Sequence, residues 1–135
     1  MGYYARYTGS IEISPPLPWN LIKDHPALPA DPTYRGSATG GDRDVRLVVE
    51  TELIDTEDGT LTKKRAVAVE PATDDAFKGY EMQAHLQEVV DAAPGRTLTG
   101  RIDATGEDGQ QWRFKVVDGT VQRFEPVLTW PEGAE

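Results

Sequence analysis

The chain has 135 residues, with 23 Asp and Glu against 14 Lys and Arg for a formal charge of −9, and it contains no cysteine. That length favours one domain spanning 1–135 with a core of its own, and the missing thiols exclude a disulfide framework, a cysteine nucleophile and cysteine-ligated metal. The acidity argues against direct nucleic-acid binding, which draws most of its affinity from neutralising phosphates, and no apolar run approaches the roughly 20 residues that span a bilayer.

From the N-terminus, Tyr3, Ala5, Tyr7, Gly9, Ile11 and Ile13 alternate with Arg6, Thr8, Ser10, Glu12 and Ser14. A period of two predicts a half-buried strand over 3–14, ended by Pro15 and Pro16 because proline cannot donate to a ladder. No signal-peptide apolar region precedes it, so the expected location is the cytoplasm. Pro18 suits a first helical position and Pro26 forbids continuation, which predicts a helix of about two turns over 18–25, with Trp19 and Ile22 against the sheet. Residues 26–44 hold Pro26, Pro29 and Pro32, then Gly36, Gly40 and Gly41. A loop this long is expected to be mobile and functional, with Tyr34 and Arg35 as its contact-makers.

Val45, Leu47, Val49, Thr51 and Leu53 alternate with Arg46, Glu50 and Glu52, and a turn at Asp58-Gly59 returns the chain into a partner strand over 61–70. On that strand Val67 and Val69 are expected to share one face and Ala66 and Ala68 the other. Thr73, Asp74 and Asp75 supply capping oxygens and negative charge for a following helix. Its stripe is Met82, Leu86, Val89, Val90 and Ala93, and Pro94-Gly95 stops it. Three more strands follow: Leu98 to Ala104, Trp112 to Val116, and Thr120 to Trp130. The alternation of the last slips near Arg123, which predicts a bulge or an edge position.

Three Asp-Gly pairs, at 58–59, 108–109 and 118–119, separate alternating runs and tolerate the positive φ angles of tight hairpin turns. The expected fold is therefore α+β: a mainly antiparallel sheet of about six strands in β-α-β-β-α-β-β-β order. It begins like the split βαβ, ferredoxin-like unit, adds a C-terminal hairpin, and packs its helices on one face.

Met1-Gly2-Tyr3-Tyr4, Tyr7-Thr8-Gly9, Pro15-Pro16-Leu17, Asp55 to Leu61, Thr99-Gly100-Arg101, Gly106-Glu107-Asp108, Trp112-Arg113, Asp118-Gly119 and Trp130-Pro131 together span the chain. In these segments it resembles a family of small uncharacterised proteins of actinobacteria and their phages, a domain of unknown function. The resemblance implies an intracellular bacterial or phage setting among accessory genes. It carries over no catalytic residue.

Chemistry is sparse. Glu81, His85 and Glu88 are spaced to share a helical face, the pattern of a two-carboxylate, one-imidazole metal site in a small enzyme. The plainer reading is a solvated face of ordinary pairs. No nucleophile–base motif or cofactor fingerprint stands out, so the expectation is a non-enzymatic protein-interaction module with no cofactor and no metal. Its docking patch is read as Glu50, Glu52, Asp55, Glu57 and Asp58, whose crowded carboxylates favour a basic protein partner over nucleic acid or membrane. A homodimer through the C-terminal edge strand is the alternative.

Overall fold

The computed structural model describes residues 3–25 and 44–127. Strand β1 runs Ala5–Pro18, helix α1 Trp19–Ile22, strands β2 and β3 Val45–Thr56 and Gly59–Pro71, and helix α2 Met82–Asp91. Strands β4, β5 and β6 follow at Thr97–Gly106, Gln111–Val117 and Thr120–Phe124. They form one six-stranded sheet in the order β2-β3-β1-β4-β5-β6, with every neighbouring pair antiparallel. The expected α+β class and element order are therefore present. The portion β2-β3-β1-β4 has the split βαβ arrangement, and β5–β6 extends it beyond β4.

A single cluster forms the core. From the sheet it takes Tyr7, Ile11, Leu17, Val45, Val69, Ile102 and Phe114, and from the helices Ile22, Met82, Leu86 and Val89. Sheet and helix residues meet in one cluster, so both helices cover the same face. Of the stripe expected on α2, Met82, Leu86 and Val89 are buried and Val90 is partly buried against the core, while His85 is buried with them.

Several local expectations are corrected. Pro15 and Pro16 do not end β1, which continues to Pro18 through a cis Ser14–Pro15 bond. Pairing with β4 stops at Ser14, and pairing with β3 lapses between Glu12 and Leu17. The prolines occupy the one stretch where the ladders ask for no donor. Helix α1 is a single turn, and Trp19 is exposed with the Lys64 ammonium 5.1 Å from its ring centre, so Ile22 alone anchors it. On β3 a register shift leaves Val67 without a partner between Ala66 and Ala68, which brings Ala66 into the core beside Val69.

Helix α2 begins at Met82, not after Thr73–Asp75. Between them Phe77 exchanges two backbone hydrogen bonds of 3.0 Å with Ala5. Strand β6 ends at Phe124 with no register shift against β5, because Phe124 simply lies on the face opposite Val121. Of the three Asp-Gly pairs, Asp118-Gly119 alone has both residues at positive φ, 52° and 79°, as a type I′ turn requires. At the first pair, Thr56 faces Gly59, so the turn residues are Glu57 and Asp58.

Candidate functional site

Polar and aromatic side chains share a pocket of about 300 Å3. It lies between the approach to α2 (Lys78, Gly79, Tyr80, Gln83) and strands β5 and β6, which supply Trp112, Phe114 and Arg123. Tyr7, Trp112 and Phe114 form its buried walls. The alternation of β1 and β5 puts these rings on the helix-covered face, where Tyr7 meets Trp112 edge-on at 6.3 Å and Phe77 at 4.9 Å. At the mouth, the Tyr3 amide donates to the Tyr80 hydroxyl at 2.8 Å, and the Tyr3 hydroxyl donates to the Asp108 carboxylate. That hydrogen bond pushes the Tyr3 hydroxyl up to about 12 and holds Asp108 below the usual carboxylate range. Burial, with the Asp44 charge adding to it, pushes Tyr7 up as well. These two phenols are neutral hydrogen-bonding groups near pH 7, not bases.

The Arg123 guanidinium lies 4.8 Å from the centre of the Trp112 ring, a cation–π contact that orients its fork beside the pocket. On the opposite sheet face a second, larger pocket of about 470 Å3 runs past Thr8, Asp103, Arg113 and Pro126. There Asp103 is bridged by Arg101 and Arg113, each at 3.1 Å.

Beneath the N-terminus of α2, Asp44 and His85 hold β2 to the helix. The backbone N–H of Asp44 donates to His85 Nδ1 at 3.0 Å, and Asp44 Oδ2 accepts the Glu81 N–H at 2.9 Å. Asp44 thus performs the capping expected of Thr73, Asp74 and Asp75, from far away in sequence. Burial raises the Asp44 carboxyl above its ordinary 3.8, outweighing the Glu81 hydrogen bond and the nearby imidazole, both of which lower it. Between 3.8 and the raised value the folded protein therefore holds a proton that the unfolded chain has released. Stability contributed by Asp44 is lost as pH rises through that window. Asp44→Asn keeps an acceptor for Glu81 and removes the buried charge. Its stability relative to the native chain is expected to improve as pH rises from about 3.5 to 6, and urea unfolding across that range checks this. A difference that does not change with pH would refute it.

The sequence reading of Glu81, His85 and Glu88 as metal ligands is not supported by this geometry. His85 is buried and its Nδ1 is taken by Asp44, while Glu81 is exposed at the helix start. Among the described residues no group of three or more His, Cys, Asp or Glu is placed to hold a metal ion.

The acidic patch is where the alternation put it, but it is not alone. Glu50 and Glu52 lie 3.6 and 3.4 Å from the Arg65 guanidinium, and Thr51 and Glu52 face Lys64 and Lys63 across the ladder. Asp55, Glu57 and Asp58 continue to the tip. Tyr34 and Arg35, with the loop expected around them, lie outside the described residues.

A family model matches the sequence along residues 1–135. The chain belongs to a family of unknown function, DUF6205. No curated protein and no solved structure matches it. Membership brings no activity and no site residues, so function is argued from the surface itself. No helix among the described residues is long and apolar enough to cross a membrane.

Proposed function

We propose that this protein is a non-enzymatic interaction module that holds a basic protein partner on the arm formed by β2 and β3. One observation carries the reading: both strands run past the core, and residues 50–64 are all exposed. A two-stranded ribbon without a third layer is marginal in water. This one also presents Leu53 at 69% exposure and Leu61 at 59%, with Ile54 directly opposite Leu61. Natural edges are usually blunted by charged side chains, by proline or by a bulge in the edge strand itself. Strand β2 is an edge of the sheet, has no proline, and its register shift falls on β3. The charges on its outer half, Glu50, Glu52 and Asp55, are all acidic, so they repel an acidic edge and admit a basic one.

An extended segment of another protein can add to such an edge through main-chain hydrogen bonds. The five carboxylates Glu50, Glu52, Asp55, Glu57 and Asp58 outnumber Lys63, Lys64 and Arg65, which selects a partner segment with basic and apolar residues. The bacterial or phage setting implied by the sequence resemblance supports a partner inside the cell, in the cytoplasm. The opposite edge, β6, spans Thr120–Phe124 and leaves Phe124 partly exposed. It is the alternative route, to a symmetric dimer, and light scattering distinguishes the two.

The experiment is affinity capture from a bacterial lysate with the native chain, Glu50→Lys/Glu52→Lys and Leu53→Asp/Leu61→Asp. Capture of a basic protein is expected to weaken as salt rises and to drop at least about tenfold in either variant. Recovery that ignores salt and both variants removes the arm as the docking surface.

A further inference from the structure

The pocket beside α2 combines flat aromatic walls with a charge opposite to that of the molecule. In a chain of formal charge −9, its lining includes Lys78 and Arg123, while the one carboxylate described at its mouth, Asp108, accepts the Tyr3 hydroxyl. We infer that this pocket binds a small planar aromatic anion, with the ring against Tyr80 and the exposed edges of Tyr7 and Trp112 and the anionic group toward Lys78 and Arg123.

The size comes first. About 300 Å3 is at the small end of ligand pockets, enough for a ring system with a short acidic arm and too little for a folded peptide. The walls set the shape. Tyr7 and Trp112 are 4% and 8% exposed and locked edge-to-face, so what they present to the pocket is fixed ring edges. Tyr80, 65% exposed, stands at the mouth where it can close over a bound ring.

The charge decides the sign of the ligand. Aromatic cages of this composition often take quaternary ammonium ions. Here the Trp112 face is already covered by the Arg123 guanidinium, and Lys78, whose ammonium lies 5.8 Å from the Tyr4 ring centre, lines the pocket with a second positive charge. A cationic ligand would meet both. An anion would instead gain charge-assisted hydrogen bonds from Arg123, whose present partner, Glu125, is exposed at a long 3.5 Å. The Tyr80 hydroxyl accepts the Tyr3 amide and so keeps its own proton for a ligand acceptor.

The shared chemistry, an aromatic ring bearing one acidic group, occurs in aromatic carboxylates and in nucleoside monophosphates. Two matched pairs of probes separate them: indole-3-acetate against its neutral alcohol tryptophol, and AMP against adenosine. Titrations followed by calorimetry and by the Trp112 indole N–H resonance should show at least one anion saturating below about 10 mM, bound about tenfold more tightly than its neutral partner. Saturation by indole-3-acetate alone assigns the site to carboxylates, and by AMP alone to phosphates.

Lys78→Gln/Arg123→Gln should abolish the preference for the anion, and Tyr80→Ala should weaken both members of a pair several-fold. Lys78, Tyr80 and Arg123 are exposed, so these variants should keep the native unfolding midpoint. If the double variant does not, Lys78→Gln alone carries the charge test and should reduce the preference. Equal binding of anion and neutral partner, no saturation by any probe, shifts away from Trp112, or a preference that survives the charge variants would each overturn the inference.

Discussion

Replacing Gly9 or Gly100 with alanine is expected to cost about 3 kcal/mol or more of folding stability, combining backbone strain with a displaced strand. Gly9 has φ +104°, and a Cβ built on it would lie 2.4 Å from the Arg101 carbonyl oxygen. Gly100 has φ +110°, and its Cβ would lie 2.4 Å from the Ser10 carbonyl oxygen. Gly9 faces Ile102 and Gly100 faces Ile11, so the two glycines let β1 and β4 approach at adjoining positions of one ladder. Both obstacles are backbone atoms and cannot rotate away. To relieve either, the two strands must separate, and the β1–β4 ladder is what holds β4, and through it the β5–β6 hairpin, to the rest of the sheet.

Gly59→Ala is the matched control. Its φ is +132° but nothing lies within 4 Å of the added carbon, so it bears the strain alone. Urea unfolding of all three variants separates the effects. Gly9→Ala unfolding within about 0.5 kcal/mol of Gly59→Ala would show that the close approach carries no energy.

The same two glycines illustrate what the sequence does and does not reveal. Period-two alternation placed Gly9 and Gly100 on the inner face of their strands, but nothing local says that another strand's carbonyl lies against each. The sheet was legible because alternation and turn residues are short-range signals. The stripe of α2 was legible for the same reason. The misread boundaries depend on partners distant in sequence. Pro15 and Pro16 are tolerated within β1 because neither neighbouring strand pairs there, which follows only from the registers with β3 and β4. The side chain that receives the N–H of Glu81, the N-cap residue of α2, is Asp44, on the far side of the β2–β3 hairpin, while Thr73, Asp74 and Asp75 had only proximity in their favour.

The candidate sites divide in the same way. The carboxylates of the arm could be read from the chain, but the cations facing them required the β2–β3 register. The aromatic walls were readable as strand residues. Their convergence with Lys78, Tyr80 and Arg123 depends on how the segment before α2 crosses β1 and β5, which no spacing encodes. His85 was readable and was misassigned. Met82, His85, Leu86 and Val89 stand at i, i+3, i+4 and i+7, so the histidine belongs to the buried stripe and not to a solvated face with Glu81.

That position makes His85→Ala the second large loss, about 2–4 kcal/mol. Two terms contribute. The truncation leaves a cavity in a helix–sheet contact where His85 is only 8% exposed. It also leaves the Asp44 N–H, now 3.0 Å from Nδ1, without its acceptor in a partly buried site. His85→Asn offers an amide oxygen close to where Nδ1 stood, so it should recover about 1 kcal/mol of that loss. Exposed Glu81→Gln should stay within about 0.5 kcal/mol of the native chain. Chemical denaturation of the three variants checks this order, and a cost for His85→Ala below about 0.5 kcal/mol would contradict it. The metal reading predicts a different outcome: added zinc or manganese would raise the native unfolding midpoint by mass action, and His85→Ala would abolish the increase. With Nδ1 held by the Asp44 amide, we expect the midpoint to stay unchanged in both proteins.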